Sequence, residues 1–111
     1  MRATFCQLSA RPPYLELVEA TGSGIYSPAR GEGLHHIGMW DPQIAVNKRA
    51  FSDAKALPAD AEILLPDGSL FAWFSDPADA HGVRLEFVHE GSRPHLQRWI
   101  DSGVPGRTLH V

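Results

Sequence analysis

Apolar and polar positions alternate over residues 14–19, with Leu15 and Leu17 on one side of a strand and Tyr14, Glu16 and Val18 on the other. Residues 3–9 read as a second strand. Arg11-Pro12-Pro13 lies between the two as a turn, and the pair predicts an antiparallel hairpin. Residues 20–33 hold Gly22, Gly24, Gly31, Gly33 and Pro28, which predicts a linker with one helical turn near Ser27. A strand is expected over 34–40. Asp41 as N-cap and Pro42 at the first helical position then start a helix over 42–54, with Ile44, Phe51 and Ala54 on its inner side. Strands over 61–66 and 70–75 flank Pro66-Asp67-Gly68, a hairpin turn. After the polar turn 76–82, residues 83–89 alternate again, with Val83, Leu85 and Phe87 opposite Arg84, Glu86 and Val88. A short helix over 94–101 ends at Gly103, and Val104–Val111 reads as an irregular tail.

The order is therefore ββ, then βαβββ, then a short helix: an α+β fold. Three segments follow: 1–30, two strands and a linker; 31–92, a complete βαβββ unit; and 93–111, the helix and tail. Tyr14-Leu15-Glu16-Leu17-Val18 resembles Val83-Arg84-Leu85-Glu86-Phe87-Val88, which suggests an internal repeat with an incomplete first copy. The strand-like start at Ala3 points the same way, because most domains begin with frayed polar residues.

The chain has 111 residues, 43% hydrophobic and 21% charged, enough for a modest core. A formal charge of −3 offers no basic face for nucleic acid or an anionic membrane. No apolar run approaches the roughly 20 residues of a membrane span, and the N-terminus has no apolar signal-peptide core. The single Cys6 excludes an internal disulfide and a thiolate zinc cluster, so a reduced, cytoplasmic setting is expected.

Chemistry concentrates at three positions. If Leu15/Leu17, Ile37/Met39 and Leu85/Phe87 pack beneath a helix, the opposite phase sends Glu16, His36 and Glu86 to the other side of the sheet. Imidazole and carboxylates suit divalent zinc, nickel, cobalt, manganese or ferrous iron. The same alternation predicts that the adjacent His35 and His36 face different environments, with His35 structural or at the rim.

Gly31-Glu32-Gly33-Leu34-His35-His36-Ile37-Gly38-Met39, together with Leu15-Glu16-Leu17-Val18 and Leu85-Glu86-Phe87-Val88, resembles the vicinal oxygen chelate superfamily. That superfamily includes glyoxalase I, methylmalonyl-CoA epimerase, bleomycin-resistance proteins and extradiol dioxygenases. The resemblance covers about residues 3–90 and points to the glyoxalase-like branch. It implies paired βαβββ modules curled into a cup around a divalent metal. His36, Glu86 and Glu16 match its ligand positions, with Glu16 or Glu86 also serving as proton shuttle. The implied activity is a lyase or isomerase acting through a metal-stabilised enolate on a small oxygen-chelating carbonyl or carboxyl substrate.

The first strand, helix and second strand of the first module have no counterpart here, and the fourth ligand would have come from them. Either the gene start is truncated or another chain completes the cup. A homodimer, with or without exchanged modules, is therefore expected. Trp40-Asp41-Pro42 is also shorter than the corresponding family stretch. The alternative function is a non-catalytic module for a small drug-like ligand, or a degenerate fragment of a two-module enzyme. His81, His89, His95 and His110 read as surface residues, as do Arg93, Arg98 and Arg107, although these arginines are placed to meet an anionic substrate. Trp40, Trp73 and Phe74 would line the pocket or the core, with alternation leaving open whether Trp73 or Phe74 faces the cup, and Trp99 would anchor the last helix.

Overall fold

The computed structural model describes residues 2–6, 11–102 and 107–108. These form two compact units, Met1–Glu32 with Pro94–Val111, and Gly33–Arg93. Each is mixed α and β. No helix among the described residues is long and apolar enough to cross a membrane.

In the first unit β1 (Arg2–Cys6) pairs antiparallel with β2 (Leu15–Val18), with Phe5 opposite Glu16. The expected hairpin is thus present; residues 7–9 of the expected first strand lie outside the described residues. Two 3-10 turns, Gly24–Tyr26 and Pro28–Arg30, flank Ser27, whose hydroxyl accepts from the Ala29 amide at 3.2 Å. The C-terminal helix α2 (Arg93–Ser102) buries Leu96, Trp99 and Ile100. Trp99 meets Phe5 edge-on, with ring centroids 4.9 Å apart, so it does anchor the helix. The tail is not wholly irregular: a two-residue strand, Arg107–Thr108, pairs antiparallel with the start of β1. Two residues carry no periodicity, so this pairing left no signal in the sequence.

The second unit holds the complete βαβββ run: β3 (Ile37–Asp41), α1 (Ile44–Asp53), β4 (Ala59–Leu64), β5 (Leu70–Ser75) and β6 (Leu85–His89). The sheet order is β3-β6-β5-β4, with β3 parallel to β6 and the other pairs antiparallel. The helix carries the chain from β3 across to β4, as a parallel β3–β6 pair requires of its connection.

α1 begins at Ile44 rather than Pro42, because Asp41 caps it from a turn ahead. Asp41 is 3% exposed; its Oδ1 accepts from the Gln43 amide at 2.9 Å and from Asn47 Nδ2 at 2.7 Å. The helix covers Trp73 and Phe87, which stack with centroids 4.5 Å apart, and Phe51 lies over both rings. Ile44 and Leu57 complete this core. Trp73 and Phe74 are both buried, and Trp73 is the one that faces α1.

Two expectations about aliphatic stripes need correction. Leu15 and Leu17 are 47% and 52% exposed, whereas Glu16 and Val18 are half-buried. Ile37 and Met39 are 50% and 39% exposed. β2 and β3 are edge strands, and α1 packs over β5 and β6, so an apolar stripe on β3 lies outside its cover.

Candidate functional site

The register of the second sheet sets Gly38 beside Glu86 and Glu86 beside Phe74, one lateral row across β3, β6 and β5. Laterally paired residues point to the same face of a sheet. The neighbouring row, Met39, Phe87 and Trp73, points toward α1, so the Gly38–Glu86–Phe74 row lies on the other face. Glu86 thus occupies the face its phase predicted. Phe74 is 1% exposed on that same face, flanked by Ala72 and Val88 in the next row.

His36 immediately precedes β3 and brings its ring over this row. Its Nε2 stands 3.7 Å from Glu86 Oε1, with the two side chains 8% and 16% exposed. The edge of the ring meets Phe74, with centroids 5.3 Å apart and planes at 81°. Gly38 makes room for the carboxylate: a Cβ built there would lie 2.9 Å from Glu86 Oε1. A glycine inside a strand often marks such a close approach, and that was the available signal for Gly38.

His35 is not turned away from His36. The two Nδ1 atoms lie 2.8 Å apart, and the rings are set at 86°. Alternation fails because β3 starts at Ile37, so the pleat does not govern residues 35 and 36. Gly31 and Gly33, with φ of 94° and 117°, bend the approach to this segment. Sequence reasoning therefore missed His35 as a member of the site.

At the end of β3, Trp40 carries the Arg93 guanidinium over its ring, 5.7 Å from the centroid. Glu16 belongs to the first unit, half-buried at the middle of β2. Among the described residues no three His, Cys, Asp or Glu side chains are grouped as ligands of one ion. The second unit thus supplies a pair, His36 and Glu86. One neutral imidazole and one carboxylate are an ordinary donor set for a divalent ion. Their 3.7 Å separation is within the span of two bonds of roughly 2.0–2.2 Å each, so the pair fits such an ion. Without an ion, the pair can hold or pass a proton between imidazole and carboxylate. No family model, curated protein or solved structure matches the chain.

Proposed function

We propose that the protein is a glyoxalase-like, metal-dependent lyase or isomerase whose His36 and Glu86 hold a divalent ion. The observation that carries this reading is the His36 Nε2–Glu86 Oε1 approach on the face of the βαβββ sheet opposite α1. Bound there, the ion would supply Lewis-acid stabilisation of negative charge on a substrate oxygen. The chain's own groups do the rest. Glu86 accepts a proton from the carbon beside that oxygen, and Trp40 with Arg93 offers a cationic edge for a substrate carboxylate. Glu16 enters as a further ligand or proton shuttle from its place in the sequence.

Two ligands do not complete a site, and the glyoxalase-like cup needs further strands. We therefore propose a homodimer, with or without exchanged modules, acting on a small carbonyl or carboxyl compound. One observation favours a second reading, a non-catalytic module for a small apolar ligand: Leu34, Ile37 and Met39, next to His36 in the chain, leave apolar surface exposed. Metal content separates the two. The enzyme reading expects stoichiometric zinc, nickel, cobalt, manganese or iron in the purified protein, or a higher Tm on adding one of them. No metal and no Tm change on adding each in turn leaves the ligand-binding reading.

A further inference from the structure

The two nitrogens of His36 face different partners. Nδ1 lies against His35 Nδ1 at 2.8 Å, and Nε2 lies on the Glu86 side. A hydrogen bond between two ring nitrogens carries one proton, so one ring donates and the other accepts. Such a contact fixes the rotation of the His36 ring and ties its tautomer to that of His35. On its other side the ring is held by the edge contact with Phe74, itself buried.

We infer that His35 is a positioning residue. By holding His36 Nδ1, it makes Nε2 the nitrogen offered to Glu86 and to a metal ion. This rests on reading His36 and Glu86 as the ligand pair. When Nε2 ligates, its lone pair is used, so the ring proton sits on Nδ1 and is donated to His35 Nδ1. His35 then carries its own proton on Nε2. A partner on the second ring nitrogen of a ligating histidine orients the ring and raises its basicity, and losing such a partner typically costs roughly 10–100-fold in metal affinity.

The test uses the full chain labelled with nitrogen-15, at about pH 8, above the ordinary imidazole range. In the metal-free protein, two-bond proton–nitrogen correlations should show His36 in one tautomer. In His35→Phe, which keeps a ring but no acceptor, they should show an averaged pair. An averaged His36 in the wild-type protein overturns the inference, whatever happens with metal. On adding zinc chloride, His36 Nε2 should move to the shift of a ligated nitrogen, with the ring proton on Nδ1. His35→Phe should weaken zinc binding roughly 10–100-fold, and His35→Gln, which restores an acceptor, should recover most of that loss. Zinc affinity unchanged in His35→Phe, or zinc on Nδ1, also overturns the inference and leaves the ligand pair standing. A single tautomer with no zinc binding at all overturns the ligand role assigned to Nε2, and with it the reading of the pair.

Discussion

Gly38 and Glu86 sit side by side on β3 and β6, and the carboxylate occupies the space a side chain at 38 would fill: the distance from an added Cβ to Glu86 Oε1 is 2.9 Å. Gly38→Ala therefore pushes the Glu86 carboxylate away from its place 3.7 Å from His36 Nε2. The carboxylate is the far end of a flexible side chain, so the fold survives the change. Zinc affinity should fall roughly tenfold, about 1.4 kcal/mol, with little change in Tm of the metal-free protein. Calorimetric titration beside a thermal melt checks both halves. A large Tm loss would mean instead that Gly38 serves the backbone.

Asp41 holds the start of α1 in place of a cap residue next to the helix. Asp41→Ala strands the Gln43 amide and the Asn47 side-chain amide, and should cost about 1–2 kcal/mol. Denaturant unfolding measures it. Asn47→Ala should cost less, because the Gln43 amide keeps its acceptor.

Arg84 is 5% exposed, and its Nη1 donates to Asp60 Oδ2 at 2.7 Å and to the Ser75 carbonyl at 3.0 Å. Asp60 is 27% exposed, so water relieves part of the loss when it is removed. Asp60→Ala should cost about 1–3 kcal/mol, chiefly by leaving a buried guanidinium short of an acceptor. Adding Arg84→Met, which keeps volume and removes the charge, should recover part of that cost. A double-mutant cycle of unfolding free energies would contradict this account if the two losses simply add.

β3 leaves Ile37 and Met39 half-exposed on an unpaired edge, and Leu34 just before it is 84% exposed. Such an edge favours association. Sedimentation at tens of micromolar, on the order of a weak interface, should find a dimer. Met39→Lys should shift it toward monomer. A clean wild-type monomer would remove the second copy from the proposed site.

Much of the second unit was legible in the sequence because its signals are local. Asp67-Gly68 marked the β4–β5 turn, and alternation in Leu85-Glu86-Phe87-Val88 put Glu86 opposite the helix-covered core. Phase could not choose between Trp73 and Phe74, since both are large and apolar; the β5–β6 register decides it, pairing Trp73 with Phe87 and Phe74 with Glu86. Phase misjudged Leu15, Leu17, Ile37 and Met39 because alternation tells two faces apart but not which one is covered; β3, at the edge of its sheet, lies beyond α1. His35 was hidden because its partnership with His36 depends on where β3 begins, a boundary set by pairing with β6.

The central claim is that His36 and Glu86 hold a divalent ion. Its most direct measurement is calorimetric titration of zinc into the metal-free protein and into His36→Ala. The account predicts saturable binding in the wild type, with about 2.7 kcal/mol of added stability at a hundredfold excess over Kd, and its loss in His36→Ala. No binding to the wild type, or equal binding to both proteins, would contradict it.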